Sequence, residues 1–184
     1  MFNANLVQGP DADSAPTFLG NGTNFNPGIL FDGVDTGLAT AVDGADFDFS
    51  QWSVFSVQQT TPGYNHCVWH YGVSGQNTLA LFINAAPSGF NVTINISDGG
   101  VSSITNPRLD DNLPHIFGLT ANNASTEIYL DSGVVSTSGG QSPLSGQGAF
   151  MIGLDADGAE AQDGDNHFYG GIGEILMFSK NFLT

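Results

Sequence analysis

Residues 90–97 read Phe90-Asn91-Val92-Thr93-Ile94-Asn95-Ile96-Ser97, an alternation of apolar and polar side chains along the whole stretch. Because successive side chains of a strand point to opposite faces of its sheet, this alternation predicts a strand with one buried face and one wet face. The stretch runs into Asp98-Gly99-Gly100, which is typical of a tight turn. The clearest local pattern in the chain is therefore that of an antiparallel sheet.

The rest of the chain repeats this pattern. No window carries a convincing 3.6-residue period, and clusters of Pro, Gly, Asn, Asp and Ser separate the apolar runs. The further predicted strands are Trp52–Gln59, Cys67–Val73, Thr78–Asn84, His115–Thr120, Thr126–Leu130, Ala149–Leu154 and Gly171–Ser179. Short strands at such spacing predict an all-β fold, a two-sheet antiparallel sandwich or jelly roll. The last run is apolar on both faces, so we expect a central strand that is covered on both sides.

The length of 184 residues suits a single domain, residues 1–184, whose first 28 residues we expect to be irregular and to wrap the edge of the sandwich. No run approaches the 18 apolar residues of a membrane span. Met1–Pro10 lacks the basic and apolar regions of a signal peptide. Cys67 is the single cysteine, which excludes an internal disulfide framework.

The charge balance narrows the class of partner. Arg108 and Lys180 are the chain's two basic residues, against 18 Asp and Glu, for a formal net charge of −16. Such a chain repels phosphate backbones and anionic membranes, so we expect no nucleic-acid partner and no membrane insertion. The charge suits divalent cations and salt water, which favours an extracellular setting; alternatively, it serves solubility alone.

Several segments resemble the concanavalin A-like superfamily, in particular its laminin-G-like domains. Phe31–Leu38 resembles the opening Phe-Asp-Gly motif, and the preceding Asn24–Pro27 is similar to a variant found in large bacterial surface adhesins. Ile128–Gly133 resembles the Tyr-x-Asp-Gly hairpin, with Ser132 inserted, and Phe168–Phe178 resembles the closing strand. The resemblance implies a concanavalin A-like jelly roll, a fold that also houses glucanases.

Catalysis needs a pair of carboxyl groups about 5–5.5 Å apart in a retaining glycosidase. The resembling glucanases carry theirs as Glu-x-Asp-x-x-Glu on one strand. This chain has three glutamates, Glu127, Glu160 and Glu174, and none lies in that pattern. We therefore predict no catalytic residue.

A calcium site is predicted in the acidic loop Asp155–Asn166. Five carboxylates lie within eleven residues there, among glycines that let the backbone fold around an ion. Calcium takes six to eight oxygen ligands from such loops. The candidate ligands are Asp155, Asp157, Asp163 and Asp165. The alternative is a solvated acidic loop. His66 and His70 do not make a second site, because four residues of strand separate them by roughly 13 Å.

A sugar site is predicted where aromatic residues adjoin polar loops, because the apolar face of a pyranose stacks on a ring. Tyr64, Asn65, His66 and Tyr169 are the candidates. The two tryptophans, Trp52 and Trp69, lie within predicted strands and are expected in the core.

The sequence thus predicts a non-catalytic extracellular binding or adhesion module that recognises glycans or a surface partner, with Ca²⁺ as its expected ion. A phage virion structural protein, such as a capsid decoration, fibre or tail module of the same fold, is the alternative. The absence of a signal peptide after Met1 favours that alternative, because virion proteins are made in the cytoplasm. A glycoside hydrolase is the least favoured of the three.

Overall fold

The structure of the chain is a computed structural model. The described residues are 6–8, 15–22, 26–40, 51–62, 66–73, 76–86, 89–96, 100–105, 111–122, 125–139, 150–154 and 167–178. Every regular element among them is a strand. In this part of the chain there is no helix of the length and apolarity needed to cross a membrane.

The strands follow one another closely along the chain. The first seven are β1 (Leu6–Gln8), β2 (Thr17–Leu19), β3 (Gly28–Asp32), β4 (Leu38–Thr40), β5 (Gln51–Thr60), β6 (His66–Val73) and β7 (Gln76–Ala86). The next seven are β8 (Gly89–Ile96), β9 (Gly100–Thr105), β10 (Pro114–Asn122), β11 (Ser125–Leu130), β12 (Gly133–Gly139), β13 (Phe150–Ile152) and β14 (Tyr169–Phe178).

These strands form two antiparallel sheets. Sheet I has the order β1-β4-β13-β6-β7-β8-β9, and sheet II has the order β12-β11-β10-β5-β14-β3-β2. Strands that are close in sequence alternate between hairpin neighbours and crossovers to the other sheet, which is the connectivity of a jelly roll. The predicted all-β, two-sheet antiparallel sandwich is confirmed.

The predicted strands are all present, with ends that differ by a few residues, and residues 90–96 of the alternating stretch lie in β8. The described part of the first 28 residues lies at the edges of the sandwich, as expected, but it contains strands. It is not wholly irregular, because β1 pairs with β4 at the edge of sheet I and β2 pairs with β3 at the edge of sheet II. Strands of three residues are too short to show an alternation in the sequence. They are recognised only from their hydrogen-bonded pairing with a neighbouring strand.

The core lies between the sheets. Side chains from both sheets contribute to one buried cluster, whose largest members are Phe31, Trp52, Trp69, Tyr71, Phe117 and Phe168. The burial of Trp52 and Trp69 confirms that both belong to the core rather than to a sugar platform.

The outer faces of the two sheets differ. On sheet I, the register places Ala39, Met151, His70 and Ala80 in one row facing away from the core. The last three are nevertheless buried. On sheet II, outward residues such as Ile116 and Leu176 are 49% and 42% exposed. Sheet II therefore presents the open face of the sandwich.

Strand β14 shows how this open face arises. It lies between β5 and β3, so its predicted central position is confirmed, but the prediction that both faces are covered is wrong. A bulge between Ile172 and Glu174 places Ile172 on the inner side together with Ile175 and Met177. Leu176 and Phe178 are left on the outer side.

Candidate functional site

An apolar row crosses the outer face of sheet II. The register pairs Leu176 with Phe55, Phe55 with Gly118, and Gly118 with Tyr129, on the neighbouring strands β14, β5, β10 and β11. Residues paired directly across strands share a face. Both neighbours of Phe55 on β5 point into the core, so this row points outward. We call this surface the outer groove. It comprises this row together with a second row beside it, which is formed by Glu174, Val57, Ile116 and Asp131.

Gly118 makes room for the aromatic side chains of this row. A Cβ atom at this position would lie 3.0 Å from the ring of Phe55 and 3.3 Å from Cβ of Tyr129. Both distances are shorter than ordinary van der Waals contact. The absence of a side chain at Gly118 thus lets the Phe55 ring pack directly against the sheet beside Tyr129, and Gly118 itself is buried. The Phe55 ring also packs edge-on against Phe178, with 6.4 Å between ring centroids.

A second row lies beside the first and ends in carboxylates. Glu174 pairs with Val57, and Val57 pairs with Ile116. Asp131 continues the row, because its backbone N–H donates to Ile116 O at 2.7 Å and its Oδ1 accepts from Ile116 N at 3.1 Å. This row lines an open pocket of about 750 Å³, to which Asn26, Pro27 and Pro114 also contribute. The outer groove therefore combines the apolar row with a neighbouring pocket that has a carboxylate at each end.

His115 fixes one rim of the groove. Its Nδ1 lies 3.1 Å from Asp131 Oδ2, and its Nε2 lies 3.1 Å from Asp111 Oδ1. Only a protonated imidazole can donate from both nitrogens. Partial burial works to lower the pKa of His115, but the two carboxylates outweigh it and raise the pKa above 6.5. The histidine thus ties the segment before β10 to the β11–β12 hairpin.

This clamp predicts a pH-dependent contribution to stability. The pKa of His115 is raised in the folded state, so the contribution is full below about pH 6.5, the ordinary value, and is lost as pH rises through the folded-state pKa. We expect wild type to exceed His115→Gln in free energy of unfolding most at pH 5.5 and least at pH 9. The difference is about 1 kcal/mol or less, because the rim is partly solvated. Urea unfolding measures it, and a difference that grows towards pH 9 would refute the clamp.

Tyr129 is held in place at the other rim. Its hydroxyl donates a hydrogen bond to Glu127 Oε2. Partial burial, together with this hydrogen bond and the charge of Glu127, raises the pKa of Tyr129 to about 12. The hydroxyl therefore stays protonated at physiological pH, and its hydrogen bond to Glu127 restrains the side chain.

The sequence-predicted sugar site lies elsewhere, near the start of β14. The structure brings His66 and Tyr169 together, because Tyr169 N donates to His66 Nδ1 at 3.0 Å. His66 Nε2 then carries the hydrogen and donates to Thr61 O at 3.1 Å. His66 is fully buried, so neither ring nitrogen is available to a ligand. The predicted ligand role of His66 is replaced by a structural one, whereas Tyr64 and Asn65 lie outside the described residues.

The motif at residues 31–38 is also structural. Asp32 Oδ1 accepts hydrogen bonds from Val34 N and the Thr36 hydroxyl, each at 2.9 Å, and from two further N–H groups of the same turn. Burial works to raise the pKa of Asp32, but these hydrogen bonds hold it below its usual value. Its carboxylate is thus used within the turn.

The predicted calcium ligands Asp155, Asp157, Asp163 and Asp165 lie outside the described residues. The described residues on either side of their loop are tied together, because Phe168 N donates to Gly153 O at 2.9 Å. Within the described ranges, no group of three or more His, Cys, Asp or Glu side chains is arranged to hold a metal ion.

Solved structures share this fold. A pentraxin from Limulus polyphemus aligns with a TM-score of 0.70 and 12% identity, over 86% of this chain and 78% of that one. Domain 4 of the arabinanase AbnA from Geobacillus stearothermophilus, in complex with arabinotriose, aligns with a TM-score of 0.67 and 12% identity, over 98% of this chain and 84% of that one. The sialidase CBM40 of Ruminococcus gnavus, bound to α2,6 sialyllactose, aligns with a TM-score of 0.62 and 13% identity, over 85% of this chain and 92% of that one. No family model and no curated protein sequence matches.

These likenesses confirm the predicted architecture. The chain has the two-sheet jelly-roll sandwich fold that these structures share. At such low identity they establish the fold and leave the site to be argued from this chain's own residues.

Sequence reasoning missed the outer groove. Its members Phe55, Gly118, Tyr129 and Leu176 are up to 121 positions apart, and only the strand register brings them into one row. One signal was available: the apolar residues on both faces of β14 were interpreted as burial, although an exposed apolar row is equally consistent with a binding surface.

Proposed function

We propose that this protein is a glycan-binding module whose outer groove receives an oligosaccharide. The observation that carries the proposal is the outward row Leu176–Phe55–Gly118–Tyr129, with carboxylates along its rims. A pyranose has apolar C–H faces that pack on aromatic and aliphatic side chains, while its hydroxyl groups point sideways. Glu174 and Glu127 are placed to accept hydrogen bonds from those hydroxyl groups.

The neighbours support this proposal by analogy. Three structures that this chain resembles are named with sugars: the CBM40 with sialyllactose, the arabinanase domain with arabinotriose, and a botulinum neurotoxin type C whose cell entry depends on two ganglioside molecules. Glycan sites recur on this fold, which favours a glycan site in this chain as well. We propose that the outer groove is that site.

We propose further that the groove binds without catalysis. A retaining glycosidase needs its two carboxyl groups about 5–5.5 Å apart, and an inverting one about 6.5–9.5 Å. Glu174 and Asp131 stand at opposite ends of a row that crosses three strand spacings, roughly 14 Å at the backbone. Asp131 is also engaged by His115 and Ile116. This spacing supports a binding role.

A glycan array probed with and without calcium tests the binding proposal. We expect binding to a defined set of oligosaccharides, together with no release of reducing sugar from β-glucans, agarose, alginate or carrageenan. Binding to none of the arrayed glycans would contradict the proposal. Turnover that a Glu174→Gln substitution abolishes would replace it by a hydrolase.

The acidic loop Asp155–Asn166 is proposed to bind calcium. Two carboxylates about 5 Å apart repel by about 3 kcal/mol at an effective dielectric near 20, and solvent screening reduces this to a fraction. A bound ion removes the repulsion and adds about 2.7 kcal/mol at a hundred times its dissociation constant.

We therefore expect millimolar calcium to raise the melting temperature by several degrees more than magnesium or matched sodium chloride. Asp157→Asn combined with Asp163→Asn should remove that difference. Equal melting temperatures in calcium and in chelator would show that the loop is merely solvated.

We propose an extracellular place for the module, either on a cell surface as part of an adhesin or on a virion. The strongly acidic composition supports use in salt water, where the Debye length is about 8 Å or less. The genes that flank this one separate the two settings, because virion proteins are encoded beside other virion genes.

A further inference from the structure

The described part of the outer groove is rich in carboxylates. Glu174 is exposed at one rim, Glu127 lies at another and Asp131 closes the pocket. The described residues contain no lysine or arginine, since Arg108 and Lys180 both fall outside them. Among the described residues of the groove, His115 is the one cationic side chain, and both of its nitrogens are engaged by Asp111 and Asp131.

We propose that the groove selects uncharged oligosaccharides and rejects those that carry carboxylate, sulfate or sialic acid groups. This inference rests on the proposed glycan-binding function and names its ligand class. An acidic sugar in the groove would bring its negative charge within about a Debye length of the rim carboxylates, where screening is incomplete. Recognition of such a group usually relies on a bidentate arginine, which the described groove lacks. Hydroxyl groups, in contrast, donate hydrogen bonds to carboxylates without charge repulsion.

Glycan arrays that print each neutral glycan beside its sialylated and sulfated forms test the selection. Among pairs in which either member binds, we expect the acidic member to bind at least fivefold more weakly, and the ratio to shrink in 0.5 M sodium chloride, where the Debye length is only about 4 Å. Equal or tighter binding of the acidic members would overturn this inference and leave the proposed function standing. Binding of neither member in any pair would overturn both.

A charge reversal localises the effect. Glu174→Lys should reduce the ratio of neutral-glycan affinity to acidic-glycan affinity at least threefold, because it replaces a rim carboxylate by a cation. Asp35→Lys is the matched control: Asp35 is also exposed, but it follows the far end of β3 from Asn26 and Pro27, which line the pocket. The control should leave the ratio unchanged. If both variants reduce the affinity ratio equally, the selection comes from the net charge of the protein and not from the groove, and the inference fails.

Discussion

Gly153→Ala is expected to destabilise the protein by about 2–4 kcal/mol, which lowers the melting temperature by roughly 10 °C for a chain of this size. Gly153 has φ of +80°, a conformation that favours glycine. An added Cβ would lie 2.3 Å from two ring atoms of Phe31. That ring is fully buried and packs edge-on against Phe168, so it has little freedom to move aside. Differential scanning calorimetry measures the loss.

Gly133→Ala is the matched control. Gly133 begins β12 and has nothing within 4 Å of the position that its Cβ would occupy. We expect this substitution to change stability by no more than about 0.5 kcal/mol. If the Gly153→Ala and Gly133→Ala proteins have the same melting temperature, Phe31 and the turn after β13 are not packed as described.

Phe55→Ala and Tyr129→Ala are each expected to weaken glycan binding at least tenfold. Either substitution removes one of the two rings that flank Gly118, and with it the apolar surface on which a pyranose would pack. Loss of a central aromatic contact commonly costs 2 kcal/mol or more at a binding site, and 1.4 kcal/mol is already tenfold. Isothermal titration with the tightest-binding oligosaccharide from the array measures the loss.

Two further variants separate contact from general damage. Phe18→Ala removes an equally large apolar side chain that is 71% exposed on the edge strand β2, three strands away from β5, and it should bind as wild type does. Tyr129→Phe keeps the ring and removes only the hydroxyl that bonds Glu127, so it should retain most of the affinity. If Phe18→Ala costs as much as Phe55→Ala, the outer groove is not the site.

The fold was largely predictable because it is encoded locally. The alternation at residues 90–97 defines β8, and the turn signals between runs separate one strand from the next. The bulge at Gly173 was not predictable, since simple alternation places Ile172 on the side of Leu176 and Phe178. A bulge adds one residue to one strand only, and its position depends on the partner strand.

The site was less predictable because it depends on register. Each aromatic residue of the outer groove looks like an ordinary strand residue until β5, β10, β11 and β14 are aligned. The error at His66 has a related cause. A polar residue beside a Pro-Gly turn suggests exposure, but two backbone partners, Thr61 and Tyr169, satisfy its ring nitrogens in the interior.

A crystal structure with the tightest-binding uncharged oligosaccharide from the array tests the central claim most directly. We expect a sugar ring packed over Phe55 and Tyr129, with hydroxyl groups within hydrogen-bond distance of Glu174 or Glu127. A sugar bound instead beside Asp32 and Tyr169, with the outer groove empty, would contradict the account.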